Sequence, residues 1–229
     1  MSIVIDCGVR AGADRERGIV AATAAIRRGN LVVIPTETSY AVAGDAFTPA
    51  ALEKIRKVKG RGDDLPLPVL VASARMAQGI VTSLSDSARD LIDAFWPGPL
   101  TVLAEQQPTL AWSMPGNAVS VRMPIHPLAL ELISRAGPVV ATAANVAGAP
   151  PPRTAAQAQA QLGDDIAVYL DAGPRAALTA SCVVDVTVSP PVLLRPGPYE
   201  TALLQQVCPD LVLPDLELPD LHDSPESSA

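Results

Sequence analysis

LVVIPTETSY (31–40) is the stretch that decides the fold. Its first five residues form a short apolar run that Pro35 ends, which reads as a short buried strand. Thr36, Thr38 and Tyr40 follow at alternate positions. Hydroxyls at the carboxyl end of a strand point into the crevice where open α/β sheets bind ligands. If the chain stays extended, the three face one side. If it turns, the hydroxyls bond the backbone instead.

Working outward, helical and strand patterns alternate. Residues 14–29 read as a helix capped by Asp14, with Ile19, Val20, Ala24 and Ile26 on one face and Gly29 as its stop. Residues 48–60 read as a helix with Thr48 as cap, Pro49 in the first position and Gly60 at the end. Further helices are predicted at 85–98, 126–137 and 154–163. Strands are predicted at 67–73, 100–105, 118–124, 138–145, 168–173, 181–187 and 192–197. Some adjacent strands have no helix between them, so the pattern predicts a mixed α/β sheet rather than strict βαβ winding.

The 229 residues, 48% hydrophobic, favour one domain, placed at 1–208. Aromatics are 3%, so the core must be built from Ala, Val, Leu and Ile. From Pro209 onward PDLVLPDLELPDL repeats PDL three times, and 209–229 reads as an acidic, proline-punctuated tail, solvated or loosely docked. A lid or partner segment is the alternative reading of that tail.

No apolar run approaches the roughly 18 residues of a membrane span, and MSIVIDCGVR lacks the pattern of a secretory signal. Cys7, Cys182 and Cys208 are far apart and odd in number, which argues against a disulfide framework and for a reducing, cytoplasmic setting. With two histidines, soft ligands are too few for a zinc site, and no metal-binding residues are assigned. His126, followed by Pro127, reads as a turn residue rather than a catalytic one. The net charge of −7 argues against stable nucleic-acid binding. Yet all three lysines, Lys54, Lys57 and Lys59, fall within six residues, joined by Arg56 and Arg61, which suggests a local anion site.

Neither G-x-x-x-x-G-K-[ST] nor G-x-G-x-x-G is present, so any bound ATP must be held by side chains and ordinary loops. Lys59 and Arg61, separated by Gly60, can converge on a polyphosphate, or simply complement a helix C-terminus. Arg122, in SVRMP, needs an anionic partner, either a substrate carboxylate or an internal Asp or Glu. Asn145 opens a small-residue loop in ATAANVAG, and SCVVD with LLRPG supplies Ser181 and Arg195.

In order and spacing, PTETSY, KGR, WPGPLT, VRMP, the loop ending in Asn, S-x-VVD and LLRPG together resemble the YrdC-like family over roughly residues 15–200. The resemblance implies a single-domain, twisted, mixed open α/β sheet with a concave ligand groove. It implies an enzyme that combines L-threonine, bicarbonate and ATP, with Mg2+, into threonylcarbamoyl-adenylate and pyrophosphate for tRNA modification. A downstream threonylcarbamoyl transferase is then the expected partner. It assigns Thr38, Tyr40, Arg122, Thr142 and Ser181 to the amino-acid substrate, and Lys59, Arg61, Asn145 and Arg195 to the nucleotide, with Lys59 and Arg61 acting in catalysis. This chain departs from the family pattern at Ala143, where a serine is usual, and at Ala41, Leu65-Pro66, Leu70 and Cys182. A paralogue making another carbamoyl-adenylate, and a non-catalytic RNA-binding member, stay open as alternatives.

Overall fold

The structure is a computed structural model that describes residues 2–8, 12–60, 67–108, 110, 117–176 and 179–214. The chain runs β1 (Ile3–Asp6), α1 (Ala13–Arg27), β2 (Leu31–Pro35), β3 (Tyr40–Asp45), α2 (Pro49–Lys59), β4 (Val69–Leu70), α3 (Ala74–Ala77) and α4 (Asp86–Phe95). It continues with β5 (Leu100–Glu105), β6 (Ala118–Arg122), α5 (Pro127–Ala136), β7 (Val139–Ala143), α6 (Ala155–Leu162), β8 (Ile166–Asp171), β9 (Cys182–Asp185), β10 (Val192–Arg195) and α7 (Thr201–Val207). The strands form one mixed sheet in the order β1-β8-β2-β3-β7-β4-β6-β5-β9-β10.

Every residue of β2 is buried because helices cover both faces there. Val32 and Ile34 pack with Val139 and Val168 under α1 and α5. Leu31 and Val33 pack with Val42, Val140 and Ile166 under α2 and α6. In the other half of the sheet one face alone is covered: Leu100, Val102, Val119, Val121, Cys182, Val184 and Leu193 pack with Leu91, Ile92 and Leu204 of α4 and α7. The side chains between them in sequence, Thr101, Ser120, Arg122 and Val183, therefore point to the opposite face, where they line an open cleft.

Side-chain oxygens or nitrogens close several helix starts: Ser85 accepts Ala88 N–H in α4, His126 accepts Leu128 N–H in α5 and Thr154 accepts Gln157 N–H in α6. Gly60 ends α2 in the left-handed region at φ 63°, which favours glycine. Among the described residues no helix is long and apolar enough to cross a membrane.

Several local expectations are corrected. Asp14 does not cap α1; the cap position is Gly12, and Asp14 pairs with Arg17. Thr48 makes no capping bond, because its hydroxyl donates to Asp45 Oδ2 at 2.7 Å. The strand expected at 67–73 shrinks to Val69–Leu70, and Ser73 caps α3. Pro68 lacks an N–H and keeps only its carbonyl in the ladder, accepting from Ala141. β1, β3, α3 and α7 were not expected. The domain also extends past residue 208: Leu211 is buried against the α4–α7 core, and Val212 bridges to Val192 along the free edge of β10. Most of the tail, 215–229, lies outside the described residues.

Candidate active site

One transverse row of the sheet builds the floor of the cleft. Cross-strand register aligns Arg195 with Val183, Val183 with Thr101, Thr101 with Arg122, and Arg122 with Leu70. Paired positions share a face, so five strands present cation, methyls, hydroxyl, cation and isobutyl in sequence. These five side chains line a cavity of about 490 Å3, whose walls include Thr36, Thr38, Lys59, Thr142, Asn145 and Ser181. Of the sequence-predicted site residues, Thr38, Lys59, Arg122, Thr142, Asn145, Ser181 and Arg195 thus meet at one cleft. Arg61 and Leu65-Pro66 lie outside the described residues.

Tyr40 is the exception. The chain does not stay extended after β2: Thr36 N–H donates to the Ser39 carbonyl at 2.9 Å, and the Thr36 hydroxyl bonds that carbonyl at 2.8 Å. The turn breaks the alternation, leaving Thr36 and Thr38 on the cleft with their hydroxyls 3.0 Å apart. Tyr40 is fully buried elsewhere. Its hydroxyl lies 2.7 Å from the Gly173 carbonyl and 3.1 Å from Asp171 Oδ1, and accepts Ala172 N–H. Burial pushes its pKa up. Tyr40 therefore fastens β3 to the end of β8 and does not face a substrate.

Arg122 has an internal partner. Its Nη2 pairs with Glu37 Oε1, and its Nε donates to the Gly98 carbonyl at 3.3 Å. The side chains are 10% and 12% exposed, so the pair is nearly desolvated. Glu37 Oε2 also accepts Ile125 N–H at 3.3 Å. Gly98 explains the WPGPLT segment: a Cβ there would lie 2.3 Å from Tyr199 Oη and 2.4 Å from the Phe95 carbonyl. Only glycine lets that backbone come close enough to hold the guanidinium.

At the other end of the row, Arg195 has no carboxylate partner among the described residues. Its Nε donates to the Ser181 carbonyl at 3.0 Å and its Nη2 to Ser181 Oγ at 3.3 Å. Burial first, then the charge of Arg122, lowers its pKa. Ser181 Oγ is 2.8 Å from Thr101 Oγ1. Gly197 lets the LLRPG segment approach, since a Cβ would fall 2.3 Å from Cys182 N. An unpaired guanidinium beside hydroxyls is a site for phosphate or carboxylate.

Lys59, at the end of α2, crosses to the loop after β7. Its Nζ donates to the carbonyls of Ala143 at 2.7 Å and Asn145 at 2.8 Å, and to Asn145 Oδ1 at 3.1 Å. Asn145 Nδ2 in turn donates to the Ala149 carbonyl at 2.7 Å. The ammonium therefore orders this wall and adds a positive charge that is 94% buried, Lys59 being 6% exposed. His126, which coulombic coupling links to Glu37 and Arg175, is a neutral cap; burial pulls its pKa down to about 4. Its place in the fold is the start of α5. Among the described residues no group of three or more His, Cys, Asp or Glu could hold a metal ion. A shallower depression of about 660 Å3 over α1, lined by Val20, Thr23, Ala24, Arg27, Arg28 and Arg135, contains none of these groups.

Glu37 and Thr101 were missed by sequence reasoning. A signal existed for Thr101: in LTVLAE the apolar Leu100, Val102 and Ala104 claim one face, leaving Thr101 to the other. Nothing in the sequence distinguishes Glu37 from an exposed turn residue.

The chain matches the Sua5, YciO and YrdC family model, described as telomere recombination, over residues 24–197. A Mycobacterium tuberculosis relative is 48% identical over 196 residues, covering 84% of this chain and 90% of its own. The Bacillus subtilis threonylcarbamoyl-AMP synthase is 38% identical over 184 residues, covering 78% of this chain; the match spans 53% of that longer relative. The crystal structure of Pyrococcus abyssi Sua5 complexed with L-threonine superposes with a TM-score of 0.86 at 33% identity, covering 93% of this chain and 62% of that one. Since the family match runs through every strand from β2 to β10, the chain belongs to the Sua5/YciO/YrdC family.

Proposed function

We propose that the protein is a threonylcarbamoyl-AMP synthase. The observation that carries this reading is the charge arrangement of the cleft floor: Arg122 neutralised by Glu37, and Arg195, beside Ser181, with no carboxylate partner among the described residues. Two arginines in different electrostatic states suit two different anions, an amino-acid carboxylate and a polyphosphate. The relatives that carry the synthase name, and the L-threonine bound by Pyrococcus abyssi Sua5, support the assignment.

In this reading the amine of L-threonine captures bicarbonate, water leaves, and a carbamate forms. A carbamate oxygen then attacks the α-phosphorus of ATP, the bond to the β-phosphate oxygen breaks, and pyrophosphate departs. This is adenylyl transfer to an N-carboxy amino acid, a nucleotidyltransferase reaction. It asks the protein for positioning and charge stabilisation rather than covalent catalysis. Arg122, Thr38, Thr142 and Ser181 hold the amino acid. Arg195, Asn145, Lys59 and Arg61 bear on the nucleotide. Among the described residues no carboxylate lines the cleft; Mg2+ brought in with ATP would supply charge neutralisation at the phosphates. The unstable mixed anhydride passes to a transferase that acts on tRNA.

A second reading has its own support. Leu70, Ala41, Ala141 and Ala143 make part of the cleft wall apolar, which favours a different amine. Both are tested by incubating the protein with ATP, Mg2+, bicarbonate and a panel of amines, with carbamoyl phosphate as a further donor, and detecting the adenylate by mass spectrometry. L-threonine should give threonylcarbamoyl-AMP and one equivalent of pyrophosphate. Product from another donor alone would replace the synthase reading with the second.

A further inference from the structure

Thr101 belongs to the cleft floor. It is 4% exposed, and its neighbour Ser181 is 5% exposed. Their oxygens are 2.8 Å apart. Arg195 reaches the same Ser181 oxygen with Nη2 and the Ser181 carbonyl with Nε. Register places Thr101 opposite both Arg122 and Val183, so it sits between the two cations of the row.

The donor count decides what this arrangement does. Arginine only donates, whereas each hydroxyl carries one proton and two acceptor lone pairs. The Arg195 bond fills one lone pair of Ser181 Oγ. The two hydroxyls then share one hydrogen bond, which uses one of their two protons. Either hydroxyl can be the donor of that bond; with Thr101 donating, both Ser181 lone pairs are filled by protein groups and the Ser181 proton is the one left over. It is free to point into the cleft, which Ser181 lines. A hydroxyl locked in this way presents a donor to an anion without rotamer freedom to lose on binding.

We propose that Thr101 is a positioning residue that orients the Ser181 hydroxyl as a donor to the substrate carboxylate. The inference rests on the synthase reading for the identity of that carboxylate. It predicts a KM effect confined to the amino acid, because Thr101 acts through Ser181 and not on the phosphates.

The test compares wild type, T101V and T101S. Valine is nearly isosteric and removes the hydroxyl; serine restores it. In steady-state adenylate formation T101V should raise KM for L-threonine roughly tenfold or more, as expected for losing a well-placed hydrogen bond to a charged group. Its KM for ATP should stay within threefold of wild type, and T101S should recover most of the loss. The inference is overturned if T101V stays within threefold for L-threonine, if both KM values rise together, or if T101S is as impaired as T101V. Should wild type form no adenylate from L-threonine, the synthase reading fails on its own. The crystal structure of T101V then decides the positioning role: Ser181 leaving its rotamer against Arg195 supports it, and an unchanged Ser181 rejects it.

Discussion

Removing the Glu37 carboxylate while keeping Arg122 is the sharpest perturbation the structure offers. In Glu37→Ala a guanidinium whose side chain is 10% exposed loses its ion-pair partner. Breaking a buried pair from one side costs about 3–5 kcal/mol, because the remaining charge is stranded. For a chain of 229 residues, at about 2–4 °C per kcal/mol, the melting temperature should fall by about 6–20 °C. Removing both partners should cost much less than the two single changes together, since the stranded charge is gone. Urea denaturation of wild type, Glu37→Ala, Arg122→Met and the double variant gives the coupling energy directly. We expect about 2–3 kcal/mol, with the double variant more stable than the sum of its parts. Glu37→Gln should lie between wild type and Glu37→Ala. A coupling below about 0.5 kcal/mol would refute the claim that Glu37 neutralises Arg122 inside the site.

Other predictions follow from the same geometry. His126 is held down at about 4 against an ordinary 6.5, so the folded state prefers it neutral; its contribution is complete above about 6.5 and is lost as pH falls through about 4. After discounting for partial exposure the loss should be about 1–2 kcal/mol, and His126→Asn, which still offers a capping acceptor, should flatten that part of the stability–pH curve in chemical denaturation. Gly197→Ala drives a methyl group into the Cys182 amide; it should destabilise by about 1–3 kcal/mol and weaken ATP binding measured by calorimetry. Lys59→Ala should lower ATP affinity at least tenfold in the same assay, by losing both its charge and the ordering of the Asn145 loop; unchanged affinity would remove Lys59 from the nucleotide side. Truncation after Pro214 should leave stability and ATP binding unchanged, whereas truncation after Asp210 exposes the Leu211 contact surface and should cost about 1.5–3 kcal/mol.

The sheet class was legible in the alternation of helix and strand patterns, whereas the site residues were assigned through the family resemblance, and the structure brings seven of them to one cleft. Arg122, Ser181 and Arg195 lie at or beside strand ends, and apolar neighbours in alternation assign their faces. Tyr40 was misread because a single turn at 36–39 resets the alternation, and turns depend on local hydrogen bonds that a period cannot encode. β3 was missed for a related reason: AVAG is made of small residues, and only burial between α1 and α2 shows why a central strand must be so thin. Gly44 makes the point, since a Cβ there would come within 2.9 Å of Ala51 Cβ and Leu31 Cδ2. Glu37 was invisible because its partner lies 85 positions away. The boundary at 208 failed because acidity and proline describe the average of the tail, while Leu211 docks as a single side chain.

β4 holds two residues, and among the described residues the ladder passes from β7 to β6 through it alone. The sheet is therefore two slabs joined at a narrow neck, and the cleft straddles the neck. Thr38, Lys59, Thr142 and Asn145 ride on one slab, Thr101, Ser181 and Arg195 on the other, with Arg122 at the join and tied back across it by Glu37. The separation of the nucleotide wall from the arginine floor is therefore set across the stretch of sheet with the fewest rungs. A ligand that touches both slabs works like a cross-brace over that neck.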